Sequence, residues 1–323
     1  MRESAIPLKT PKKELNMAEL NGTQDLREIL QTIYVFVDDF LKQVVREMDV
    51  VLEKPKISNR RPPQKQGNLS LAEIVSLGIF RFYVGSTNWK DFYRHIQTYH
   101  RQDFKKLPSY ENFVSGINRT GPLAYLMCRA LAYTFRENMV ENEPKFADSS
   151  MLKVCGIKRE FSHKVCEGLA AKGKSTMGWF FGFKLHIVCN RLMQILAVKV
   201  TPGNLDDRKG LSRTWAHIFG LIVADAGYVG KDFAHFAQSL GKRLFTGVKA
   251  NMKKLMSLYQ HHLLKLRQCV ETVFSVLKSR FNMEITLPRS PKGYFSHYSW
   301  CLAAYQLKQF FKPVLNVNIP IFA

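Results

Sequence analysis

Past Glu143-Pro144 the spacing of apolar residues changes, and that change limits the possible fold more than any other feature of the chain. KFADSSML (145–152), WFFGFKLHIVC (179–189) and QILAVKVTP (194–202) are short runs rich in aromatic and β-branched residues. They predict a strand followed by a hairpin pair. The pattern then alternates. DDRKGLSRTWAHIFG reads as helix, LIVADAGY as a strand ending at Asp225, KDFAHFAQSLG as helix, KRLFTGVK as strand, and HHLLKLRQCVETVFSVLKSRF as a long helix. A meander followed by alternating units predicts a mixed five-stranded sheet flanked by helices. The unbroken apolar run of LIVAD suits a strand covered on both faces. Between the first two strands, 153–177 reads as a basic loop carrying Lys153, Lys158, Arg159, Lys164, Lys172 and Lys174.

The residues before 144 follow helical spacing instead. QDLREILQTIYVFVDDFLKQVVREMDVVL predicts a helix over 24–52. Residues 53–68, rich in proline, lysine and arginine, predict an exposed loop. Ser70 and Glu73 form a capping box at the head of LAEIVSLGIFRFYVG, and helical pattern continues through NWKDFYRHIQTYH. Pro108-Ser109 predicts a turn into a short helix, and PLAYLMCRALAYTFRENM a buried helix from 122. The turn makes this a candidate helix-turn-helix offering Tyr110, Asn112, Asn118 and Arg119 to DNA; two packed helices with a tight turn explain it equally. The organisation expected is a flexible basic tail over 1–23, a helical DNA-binding region over 24–143, and an α/β domain over 144–323.

The chain of 323 residues carries a formal charge of +22. Its distribution is uneven: from Asp148 onward there are 26 Lys+Arg against nine Asp+Glu, whereas the first 147 residues have 22 against 17. Such a surface calls for an acidic partner, and with no basic amphipathic helix in evidence that partner is nucleic acid rather than a membrane. No apolar run is long enough to span a bilayer, and the basic N-terminus lacks the apolar stretch of a signal peptide. Six cysteines without CxxC spacing read as free thiols of a reducing cytoplasm, mostly buried.

Few acids remain in the basic half, so their positions matter. Asp148 falls in the first strand and Asp225 ends the fourth; in such a sheet these strands can be neighbours, which would bring the two carboxylates together. Glu271 falls on the last long helix. Three converging carboxylates repel one another unless a divalent cation sits between them. Oxygen ligands favour Mg²⁺ or Mn²⁺, and two such ions suit phosphodiester chemistry. Taken singly, each acid is as readily a turn former or a solvated surface residue. Arg267, Glu271 and Lys278 project from one helix face, opposite the apolar stripe of Val270, Val273, Phe274 and Leu277. That polar face is expected to look at water or at DNA. Arg280, Arg289 and Lys292 follow as candidate phosphate contacts. His186 and the Asn204, Asp206, Asp207 group are lesser candidates, read more simply as a structural strand histidine and a helix start.

The pattern Arg-x3-Glu-x6-Lys around Glu271, with FADSS, GFKLH, ADAGY and LPSYENFV, resembles the DDE transposases of bacterial insertion sequences. The resemblance covers about 100–323 and implies a ribonuclease-H-like catalytic core. It implies Asp148, Asp225 and Glu271 as the catalytic, metal-holding triad, with Arg267 and Lys278 near the phosphate. It further implies Mg²⁺ or Mn²⁺, as two ions, and double-stranded DNA as partner: the element's terminal inverted repeats and a target. A homodimer or higher assembly on DNA, and work at the bacterial nucleoid in the cytoplasm, belong to the same expectation. Leu264 stands where many relatives have a tyrosine that contacts a flipped base, and Ala226 where a charged residue was expected. A metal-dependent nuclease without strand transfer, and a non-catalytic DNA-binding remnant acting as a repressor, remain open alternatives.

Overall fold

The computed structural model describes residues 26–51, 69–140, 142–176, 178–247, 256–284 and 288–315. The expected tail over 1–23 and the expected basic loop over 53–68 lie outside these residues.

Two compact units result. The first joins 1–131 with 292–323; the second is 132–291. The first is helical: α1 (Leu26–Val51), α2 (Leu71–Val84), α3 (Trp89–Tyr99), most of α4 (Tyr110–Glu137) and nearly all of α9 (Pro291–Leu315). The capping box at α2 forms as expected, Ser70 accepting from the Glu73 amide while Glu73 accepts from the Ser70 amide. The short helix and the buried helix expected on either side of residue 120 are one element, α4, with Pro122 inside it. Just before it, the buried Thr120 hydroxyl donates to the Gly116 and Ile117 carbonyls of the same helix. The boundary expected at 143/144, with everything beyond it in one domain, differs from this division. Trp300 of α9 lies against Gly78 of α2, where an added Cβ would come within 2.7 Å of the indole, and donates to the Ile117 carbonyl at 3.2 Å. Apolar packing of this kind assigns α9 to the helices, although it follows the sheet in sequence.

The second unit is built on a mixed sheet. Its strands are β1 (Lys145–Cys155), β2 (Ala171–Ser175), β3 (Gly178–Cys189), β4 (Ile195–Pro202), β5 (Gly220–Ala224) and β6 (Lys242–Thr246). β1 and β3 are antiparallel, β3 pairs with both β2 and β4 antiparallel, and β5 and β6 run parallel to β1. The order β4-β3-β1-β5-β6, antiparallel then parallel, is the ribonuclease-H-like arrangement. The mixed α/β class is as expected, but among the described residues the sheet has six strands where five were expected. The additional one, β2, lies in the stretch read as a loop; its residues AKGKS carry no β-branched or aromatic side chain, so no strand signal exists there.

Helices α5 (Asp207–Ser212), α6 (Lys231–Ser239), α7 (Leu258–Leu266) and α8 (Gln268–Ser275) complete this unit. The expected helix over 206–220 is thus cut to six residues. The expected long last helix is also interrupted. Arg267 ends α7 and starts α8, and a π-helical turn over Val276–Arg280 follows. α8 packs across β1 and β3. Its buried Val270, Val273 and Phe274, with Leu277 beyond, are the apolar stripe read from the sequence.

Candidate active site

The parallel register between β1 and β5 sets the centre of the site. Lys145 pairs with Ile222 and Phe146 with Val223. Continued by two residues, that register carries Asp148 toward Asp225, and the Asp225 charge acts on the Asp148 carboxyl. Asp225 falls just past the end of β5, where its carboxylate accepts from the Gly227 amide at 2.9 Å and caps the turn Ala226–Tyr228. Asp148 lies within β1, its side chain about 20% exposed, and accepts from the Ser149 amide at 2.8 Å.

Arg267 ties the third acid to the first. One guanidinium nitrogen donates to Asp148 at 2.7 Å and the other to Glu271 at 2.6 Å. Because Arg267 sits at the joint between α7 and α8, its side chain spans from helix to strand. Glu271 itself remains half exposed, at 51%. Lys278 also reaches β1, donating to the Met151 carbonyl and pairing with Glu284 at 3.1 Å. Lys278 and one arm of Arg267 thus turn toward β1, while Glu271 stays half in water. Arg280, Arg289 and Lys292 are exposed.

Burial raises the Asp148 carboxyl to about 6, with the Asp225 charge adding to the rise, while Arg267 and the Ser149 amide oppose it. Tyr228, 2% exposed, is pushed well above its ordinary range by burial first and then by Asp148, Asp207 and Asp225. Its buried hydroxyl lies beside the Ser149 side chain without a hydrogen bond of good geometry. Four acidic or phenolic groups thus share one region.

Asp207 is the residue that sequence reasoning undervalued. The cap of α5 is Asp206, not Asn204, and Asp207 turns inward. It accepts from the Ser149 hydroxyl at 2.7 Å and from the Lys184 ammonium at 3.0 Å. Gly210 permits this approach: a Cβ there would lie 2.1 Å from the His186 ring, so only glycine lets α5 sit so close to β3. The doubled aspartate at 206–207 was the available signal, but helix-start chemistry accounts for it equally well. His186 is structural, as the simpler reading had it. It is 1% exposed, faces Thr201 at 2.9 Å, and burial lowers it to about 4.

Behind the site, Cys189 of β3 and Cys269 of α8 share a hydrogen bond that favours the Cys269 thiolate and pushes the Cys189 thiol up. All six cysteines are free thiols, four of them buried.

The donors fit a divalent ion. Asp148 and Asp225 are hard oxygen ligands side by side, and the burial cost on Asp148 is of the kind a cation relieves. Among the described residues no group of three or more His, Cys, Asp or Glu is already closed around one point. Arg267 stands between the first and third acids, bonded to both.

Residues 140–291 match the profile described as "Transposase DDE domain". Comparison with curated proteins gave no match. Three solved Mos1 structures are similar at low identity. The Mos1 strand transfer complex is 9% identical, over 89% of this chain and 97% of that one, with a TM-score of 0.21. The Mos1 transposase paired-end complex with left transposon end is 8% identical over 89% and 97%, with a TM-score of 0.20. The mariner Mos1 paired end complex with Mg is 9% identical over 90% and 97%, with a TM-score of 0.21. Likeness at these TM-scores supports no inference about chemistry. Among the described residues no helix is long and apolar enough to cross a membrane.

Proposed function

We propose that the chain is a transposase of the DDE type, as the profile match over residues 140–291 supports, and that it cuts DNA at the ends of a mobile element and joins the freed 3′-hydroxyls to target DNA. The observation that supports this most directly is the parallel register that carries Asp148 toward Asp225, with Glu271 tied to Asp148 through Arg267. In this reading Asp148 and Asp225 hold divalent metal, and Glu271 completes the set once Arg267 has turned away. Two bound ions, Mg²⁺ or Mn²⁺, would supply activation of water or a 3′-hydroxyl and stabilisation of the leaving oxygen.

The chain's own residues do the rest. Tyr228, Val223 and Phe146 limit water behind the carboxylates, since all three are buried. The Ser149–Asp207–Lys184 chain fixes the backbone beside Asp148. Arg267, freed from the acids, carries its charge to phosphate, with Lys278, Arg280, Arg289 and Lys292 as further contacts. The helical region takes the sequence-reading role, with double-stranded DNA as partner. Holding two element ends requires at least a dimer on DNA. Location with the cellular DNA, in a bacterial cytoplasm, is part of the same proposal.

A paired-end integration assay with Mg²⁺ tests the reading. The parent should give cleaved and joined products. Asp225→Asn and Glu271→Gln should lose both while still binding DNA. Cleavage without joined product would favour a nuclease. DNA binding without cleavage, indifferent to Asp225→Ala, would favour a repressor.

A further inference from the structure

Building on the DNA-processing role above, we propose that the β2–β3 hairpin is a second DNA contact, taking the backbone of duplex DNA well away from the reacting phosphate. Lys174 pairs with Trp179, and Lys172 with Phe181. Alternate residues of paired strands share a face. Lys172, Lys174, Trp179 and Phe181 therefore lie together, while Gly173 and Phe180 are buried on the opposite side.

This face is unusual for what it leaves in water. Trp179 is 57% exposed, whereas Trp215 and Trp300 are wholly buried. The Lys172 ammonium lies 5.5 Å from the Trp179 ring centre and the Lys174 ammonium 5.7 Å. An indole that sat here for packing would face the sheet. This one faces outward between two cations, each with a long mobile stem. The preceding loop adds to the surface: Phe161 is 96% exposed. The loop is bound to the hairpin by the Lys172–Glu160 ion pair at 2.9 Å and by the His163–Phe181 ring contact at 6.3 Å.

Charge complementarity selects a polyanion, and the indole selects one that offers sugar or base surface beside its phosphates. Position selects duplex. Ile187 stands opposite Asp148 on β3. Trp179 is eight residues away along the same strand, about 26 Å at strand spacing. That is about eight base pairs of duplex at the rise per base pair. DNA held at the carboxylates would reach the hairpin as an intact double helix, outside the segment where strands are cut.

The test is a salt titration of binding to a random-sequence duplex of about 40 base pairs, with the matching single strand as a second probe. The Lys172→Gln/Lys174→Gln double variant should bind with a log K against log salt slope shallower by about one to two, the lower value because Lys172 is already paired. The emission that Trp179→Phe removes from the parent should be quenched by duplex. Both substitutions are at exposed positions, and melting followed by circular dichroism should match the parent. If the parent binds duplex while slope and emission are both unmoved, the hairpin contact is overturned and the transposase reading stands. Quenching by single strand alone overturns the duplex contact. A parent that binds no DNA at all overturns both.

Discussion

Replacing Arg267 by glutamine should have a cost that depends on pH and on metal. In the folded chain Arg267 neutralises Asp148 at 2.7 Å and Glu271 at 2.6 Å, and its side chain and that of Asp148 are each only 20% exposed. Removing one partner of a buried pair costs about 3–5 kcal/mol, because a charge is left without compensation. The pair here is part-exposed, which puts the Asp148 half at the lower end. The Glu271 half is a solvent-facing i,i+4 pair that adds about 0.3–0.5 kcal/mol. At pH 8 without divalent metal the loss should therefore be about 3 kcal/mol. Below pH 5 Asp148 is mostly protonated in the parent, since its carboxyl is raised to about 6. The loss there should fall to less than half. Millimolar Mg²⁺ at pH 8 should restore more stability to the variant than it gives the parent, because the ion and the guanidinium relieve the same carboxylates. Urea denaturation at pH 5 and pH 8, with and without Mg²⁺, measures all three. A loss under about 1 kcal/mol at pH 8, or equal losses at both pH values, would refute the claim that Arg267 compensates a buried Asp148 charge.

Two further outcomes follow from the same geometry. Asp148 is raised in the folded state, so its contribution to stability is fully present below about pH 4 and is lost as pH rises through about 6, a span of about 3 kcal/mol at most. Asp148→Asn should flatten the metal-free stability profile between these values, and an unchanged slope would assign it to other groups. Gly210→Ala should destabilise the second unit by about 1–3 kcal/mol, through overpacking against the His186 ring at 2.1 Å. A melting temperature within experimental error of the parent would show that α5 can move away without cost.

Much of the second unit was legible in the chain. Strands at 145, 178, 195, 220 and 242 announce themselves because β-branched and aromatic residues cluster there. β2 does not, for its lysines and glycine form a strand only because β3 offers a ladder to pair with. The acids of the site were readable as residue types at particular places. What they touch was not. Arg267 and Glu271 are four residues apart and their pairing follows from helix geometry, but the other arm of Arg267 reaches a residue 119 positions away. Asp207 meets Ser149 across 58 positions, and a doubled aspartate at a helix start gives no hint of it.

By itself the sequence determined which segments are helix or strand and which faces they bury, because periodicity is a local property read against a fixed geometry. It also determined the charge balance that calls for a polyanion. Tertiary structure alone decided that β1 lies beside β5, that Arg267 bridges from α8 to Asp148, and that α9 belongs with the N-terminal helices. Register between parallel strands and the packing of distant side chains depend on which surfaces meet. No residue encodes that without its partner.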